Sequence, residues 1–452
     1  MLFRTKFYQS ALSLALLTST GLLQAMPDQA SNKSTPHPVL KAYADIASDS
    51  YGKAEADVKK LQQSLSDFAK SPSAANFEAA KQAWLTSRES YGQTEIFRLA
   101  NGPIDAEDGW VAEAYGAPEG QINAWPLDEN MIDYTIDAEG HRTSGNIIDT
   151  AGLFNPGGEE AQAVDAKTIT TEVLAALNEN GGDANVASGY HAIEFLLWGQ
   201  DQDYADFRAD TITHGALVAG QRPLEDFTTA PYAKRRLDYL TASADKLVDD
   251  LSTVNQAWST KASSDCDKDA RGCYRAALLG QLTGKDENKN IASDTALKQI
   301  IAGMGVFIKS ELANERIAVA VLTPSEEDEH SCFSDNTHRD ISTNYLGFVN
   351  VLKAQYNDKN YGPSLYANAS ADTQKEIDRL ITAIDSKVAN MNSLAQTQWH
   401  FDYQILQGNN AKEIRAMKND MRKLGNTMVM VAKNMGLSLT TDDVTDAEET
   451  QL

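Results

Sequence analysis

Positive charge is scarce in this chain: 40 lysines and arginines stand against 64 aspartates and glutamates, for a formal net charge of −24. A balance this acidic repels nucleic acid and anionic lipid and attracts cations only non-specifically. Cysteine is almost absent, and the spacing of Cys266, Cys273 and Cys332 fits no zinc motif, which argues against thiolate ligation of a metal. The helical zinc signature H-E-x-x-H is missing, and neither Ser-His-Asp nor Cys-His catalysis has a local signature, so no residue is assigned a catalytic role. No convincing strand-type alternation is found. No apolar run beyond the N-terminus reaches the roughly 20 residues that a membrane span needs.

What is present begins with an export signal. Arg4 and Lys6 form a basic start, Ala11 to Leu23 an apolar stretch, and Leu23-Gln24-Ala25 a cleavage site before Met26. Cleavage near Ala25 implies a periplasmic or cell-envelope protein, with no transmembrane helix in the mature chain. No cysteine near the cut offers a lipoprotein anchor. In an oxidising compartment the close pair Cys266 and Cys273 is expected to form a disulfide closing a short surface loop. The pairing of Cys332 is left open.

The rest reads as helix. Val58, Leu61, Leu65 and Phe68 recur at three- and four-residue spacing, and Phe77, Ala80, Trp84 and Tyr91 continue the pattern after a break at Ser71-Pro72-Ser73. Two turn-rich stretches interrupt it, 105–156 with Trp110 and Trp125-Pro126, and 201–231. Helical patterning then resumes through 236–258, 296–322, 341–356, 374–394 and 399–435. The expected fold is all-α: two tandem four-helix bundles with long irregular connections, spanning 26–230 and 231–439 after a signal at 1–25. The acidic, polar residues 440–452 are expected to fray into a disordered tail.

One short segment carries chemistry. Residues 189–199 read GYHAIEFLLWG, with Gly189, His191 and Glu194 in a G-x-H-x-x-E pattern. Ser188 is placed to cap this helix and Gly199 to end it. On a helix, positions i and i+3 share a face, so the His191 imidazole and Glu194 carboxylate can converge on one metal ion. A nitrogen donor beside an oxygen donor suits iron, zinc or copper. Glu95, late on the second helix, is the candidate third ligand, and Arg88 is placed to orient a carboxylate or hold an anion that accompanies the metal. The competing reading of His191 is a core histidine bonded to Glu194.

A second cluster, EEDEHSCFSDNTHRD at 326–340, sets Asp335 and His338 three apart and adds His330. It reads as a pocket wall in which Ser334 or Asp335 caps the helix beginning near Thr337. Trp125 either lines the same pocket or packs structurally. A faint internal echo lays Tyr190-His191 over Trp399-His400. Gly199 and Gly408 then coincide, and Tyr403 replaces Glu194.

With GYHAIEFLLWG, INAWPLDENMIDY at 122–134 and HSCFSDNTHRD at 330–340, the chain resembles the imelysin family, which includes proteins of the iron-regulated protein A type and carries a peptidase M75 label. The resemblance implies a double helical bundle with the site near its junction and an exported protein tied to iron uptake or regulation. Gly189, His191 and Glu194 match the family's motif residues. The expected ligand is a metal ion or metal chelate, with iron the first choice and zinc or copper the alternatives, and an envelope iron-transport protein is the expected partner. Two alternatives stand beside this: a zinc-type metallopeptidase using the same pair, and a metal-independent module that binds a peptide or small ligand. The peptidase reading lacks a base, because Glu194 is consumed as a ligand.

Overall fold

The first long helix, Pro38–Lys70, buries the residues its sequence spacing selects: Val58, Leu61, Leu65 and Phe68 are all fully covered. Each such side chain contributes about 1.5–3 kcal/mol by leaving water, which fixes the face that the helix presents. Ser73 caps the next helix, Ala74–Tyr91, through Asn76 N at 3.3 Å. These facts come from a computed structural model that describes residues 37–447, apart from 138, 202–218, 323 and 325–327. The expected export signal at 1–25 and the last residues of the expected tail lie outside the described residues. Among the described residues, no helix is long and apolar enough to cross a membrane.

The protein is all-α. Its only sheets among the described residues are two antiparallel pairs of two-residue strands, Leu153–Phe154 with Val164–Asp165 and Gln355–Tyr356 with Lys359–Asn360. Four helices pack in a ring: Pro38–Lys70, Ala74–Tyr91, Gly189–Trp198 and Ala233–Ala257. A second ring joins Phe307–Ala318, Thr337–Lys353, Ala371–Thr397 and Gly408–Asn434. The expected division at 230/231 falls inside the first ring. The helix Ala233–Ala257 turns its apolar face (Leu240, Leu247 and Leu251) inward and ties Asp245 to Gln62 at 2.7 Å.

Two local departures matter. Residues Phe307–Ala318 continue the helix Ser293–Val306 as a π-helix, a winding that apolar spacing does not reveal and that often marks functional positions. The start of the expected frayed tail is instead docked. Asp442–Val444 form a turn, Val444 is fully buried over Gly305, and Asp446 N donates to Ser310 Oγ at 2.9 Å. Burial of one valine, absent from a simple charge count, supplies the reason.

The rings meet where the 3-10 segment Gly92–Phe97 packs on Thr337–Lys353. A Cβ on Gly92 would collide with the Thr343 side chain, so glycine permits this approach. As expected, Cys266 and Cys273 are joined in a disulfide, and Cys332 is buried outside it.

Candidate metal centre

Every residue of the helix Gly189–Trp198 is buried. Gly189 has φ +85°, and any Cβ there would strike the Ile122 carbonyl, so the motif's glycine is a backbone requirement. Ser188 does not cap the helix as expected. Its hydroxyl donates to the Gln121 carbonyl at 2.9 Å, tying the helix start to the 119–123 turn. Gly199 does end it, with φ +74°. The helix Ala74–Tyr91 holds it from the side, with Trp84 Nε1 on the Tyr190 carbonyl at 2.9 Å and Ser87 against the Tyr190 hydroxyl at 2.7 Å.

His191 and Glu194 do share a face, but they meet each other. His191 Nδ1 lies 2.9 Å from Glu194 Oε2, and Glu194 Oε1 accepts from Ser334 N at 3.0 Å and Ser334 Oγ at 2.7 Å. Both carboxylate oxygens are therefore engaged. When Glu194 is ionised, its carboxylate at Nδ1 fixes the ring tautomer with the proton there and leaves a lone pair on Nε2. That Nε2 is buried and has no hydrogen-bond partner.

His330 repeats the arrangement from the other ring. Its Nδ1 lies 3.0 Å from Asp340 Oδ2, and its own Nε2 is buried without a partner. The two imidazoles stand edge to face, with centroids 4.6 Å apart. Arg88 anchors Asp340, donating from Nε at 3.1 Å and bringing Nη2 into ion-pair contact at 3.0 Å, while its Nη1 reaches Asn123 Oδ1 at 2.5 Å. Its guanidinium also lies 4.9 Å over the Tyr190 ring. Trp125 donates to the Glu329 carbonyl at 2.6 Å, and its ring stands edge to face with His330, centroids 5.5 Å apart.

Burial, reinforced by Arg88, holds the His191 imidazole down to about 3, and burial with Arg316 holds His330 well below its usual range. Burial pushes the Glu194 carboxyl up to about 8, against the opposing pull of Ser334. Both rings are therefore neutral, which is the form that ligates metal.

Glu95 does not join them. It accepts from Arg316 Nη2 at 2.6 Å and Asn344 Nδ2 at 3.1 Å, with Arg98 at 3.7 Å and Arg88 at 4.0 Å. Burial raises its pKa, but Arg316 and then Arg88 outweigh burial and hold it below the usual carboxylate range. Glu95 is thus the counter-ion of an arginine cluster. Among the described residues, no three His, Cys, Asp or Glu side chains converge to hold a metal ion as they stand.

Asp335 and His338 sit elsewhere. Asp335 pairs with His400 Nδ1, and His338 Nδ1 lies 3.0 Å from the Asp335 carbonyl. Neither Ser334 nor Asp335 caps the helix Thr337–Lys353; Ser334 serves Glu194, and Asp335 adopts φ +57°. Sequence reasoning overlooked Asp340, Asn123 and Arg316. The available signals were Asp340's place in the run that begins at His330 and Asn123's place in the 122–134 segment.

The buried Nε2 atoms test whether a metal suits these residues. Buried polar atoms rarely stay unpaired, and an unpaired one signals a missing ligand or water. Neutral imidazole suits iron, zinc, copper and nickel, so the donor chemistry fits.

Comparison with known proteins agrees with the fold. The iron-regulated protein A of Synechococcus elongatus is 25% identical over 320 residues, covering 71% of this chain and 65% of its own length. The chain therefore spans about two thirds of that relative. A crystal structure of an iron-regulated protein A precursor from Parabacteroides distasonis superposes with a TM-score of 0.56 at 17% identity, covering 90% of this chain and 98% of that one. An imelysin-like protein from Psychrobacter arcticus gives 0.54 at 13% identity, covering 89% and 97%. The imelysin (peptidase M75) family model matches residues 47–428, and the chain belongs to the imelysin family.

Proposed function

We propose that this protein is an exported, iron-linked binding protein that takes a metal ion, or a metal chelate, at His191 and serves iron acquisition in the cell envelope. The single observation that carries the reading is the His191 imidazole: buried, neutral, fixed at Nδ1 by Glu194, and carrying an unpartnered Nε2. A core histidine held only for packing would satisfy that nitrogen, because leaving it bare costs about 1–3 kcal/mol. The name of the Synechococcus relative points to iron, while zinc and copper share the donor preference. The basic, apolar and small residues of 1–25 support export to the periplasm, where an iron-transport partner would receive the cargo.

The peptidase label finds less support in the chain's own residues. A metallopeptidase needs a general base within reach of a metal-activated water. Glu194 is occupied by His191 and Ser334, and Glu95 by Arg316 and Asn344. No observation favours the metal-free binding module over the metal reading.

The test is a titration of stripped protein with ferrous, ferric, zinc and cupric ions. Stoichiometric binding that His191→Ala abolishes supports the reading. Binding of none of the four ions, or binding indifferent to His191→Ala, would overturn it.

A further inference from the structure

We infer that His330 is the second protein ligand of this centre, and that Glu194 and Asp340 are positioning residues behind the two imidazoles rather than ligands. This rests on the metal reading above and deepens it. The family motif draws attention to a histidine and a glutamate on one helix, and the spacing alone makes them two ligands. The geometry divides those roles differently. Glu194 has turned both oxygens away from any shared ligand, one to His191 Nδ1 at 2.9 Å and one to Ser334 at 2.7 and 3.0 Å.

His330 supplies what the motif glutamate does not. Its ring is buried, its Nδ1 is held by a carboxylate at 3.0 Å, its Nε2 is unpartnered, and its centroid lies 4.6 Å from that of His191. The two units match: imidazole, carboxylate at Nδ1, then a third group that fixes the carboxylate. That third group is Ser334 for Glu194 and Arg88 for Asp340. Carboxylates behind metal-binding histidines commonly serve this role, setting tautomer and ring direction.

Two consequences follow. Both donors are imidazole nitrogens, so the centre prefers borderline divalent ions such as ferrous, zinc or cupric over hard, oxygen-seeking ones. The remaining coordination positions fall to water or to a chelate that arrives with the metal. His191 belongs to the first ring of helices, and His330 precedes the helix Thr337–Lys353 of the second. A bound ion would therefore tie the two rings together and raise the melting temperature.

The test uses the full chain, stripped and loaded with cupric ion as a probe, read by pulsed electron paramagnetic resonance, which counts coordinated imidazoles. Two imidazoles are expected in the wild type and one in His330→Gln, with affinity down at least 100-fold. Glu194→Gln should keep both imidazoles and lose about 10- to 100-fold in affinity, the usual cost of removing an outer-shell partner. Metal-free melting and circular dichroism establish that each variant is folded. One imidazole in the wild type, or His191-dependent binding that folded His330→Gln leaves unchanged, overturns the two-histidine set while the metal reading survives. Loss of all His191-dependent binding in the wild type overturns both.

Discussion

The segments around His191 and His400 share a written pattern and build different chemistry. Each has an aromatic–histidine pair, two adjacent large aliphatic residues (Leu196-Leu197 and Ile405-Leu406), and a glycine eight residues after the histidine. His191 sits inside its helix, 1% exposed, with Glu194 one turn on to hold its ring. His400 precedes the short helix Phe401–Leu406, its side chain is 17% exposed, and its carboxylate partner, Asp335, comes from a distant loop. The surroundings differ more. Around Asp340 and Glu95 stand Arg88, Arg316 and Arg98, whereas the charges acting most strongly on Asp402 are Asp335, Asp201 and His400. A local pattern thus makes a helix carrying a histidine; burial and the charges packed around it decide whether that histidine is poised as a ligand.

The comparison breaks most severely at Arg88. Its replacement by Ala leaves Asp340 buried without its main counter-charge, and removing one partner of a buried ion pair costs about 3–5 kcal/mol. Urea unfolding should show that loss, and a change under ~1 kcal/mol would mean Asp340 is supported otherwise. Next come the paired glycines. Gly199 has φ +74° and a crowded Cβ position, so Gly199→Ala should cost about 1–3 kcal/mol. Gly408 opens a helix with nothing near its Cβ position, so Gly408→Ala should be neutral or stabilise by up to about 1 kcal/mol. Equal costs would erase the distinction between the two segments.

The smallest effect is one of pH. Glu311 is pushed up by burial but held down to about 2 by Arg98 and Arg316. Its contribution to stability is therefore complete above the unfolded value near 4.5 and is lost as pH falls towards 2. Asp402 behaves oppositely, because burial and then Asp335 raise it well above 3.8. The folded state then holds the extra proton, and stability declines as pH rises above 3.8 towards the raised value. Asp402→Asn should flatten that decline, by at most about 1.4 kcal/mol per pH unit, while Glu311→Gln flattens the acid side instead. Unfolding midpoints measured across pH would decide, and an unchanged profile in Asp402→Asn contradicts the account.

Helices were legible because apolar periodicity is local: the break at Ser71-Pro72-Ser73 and the buried stripe Val58, Leu61, Leu65 and Phe68 appear where the spacing puts them. The membership of Ala233–Ala257 in the first ring was not legible, since packing partners lie far apart in sequence. At the site, the one-turn spacing of His191 and Glu194 was readable, but not the direction in which Glu194 would spend its oxygens. That depends on Ser334, 140 residues away. Glu95 was drawn as a ligand because a carboxylate near a helix end offers no hint of Arg316, which a π-helical stretch brings to it.

The central claim is that a metal is held between His191 and His330 and not at His400. Thermal melting of the wild type, His191→Ala, His330→Ala and His400→Ala, each with and without a divalent ion such as zinc at the lowest concentration that saturates the wild type, tests it most directly. The account predicts a metal-dependent rise in the wild type and His400→Ala, and none in the other two. A rise that persists in His330→Ala, or one that only His400→Ala removes, would contradict it.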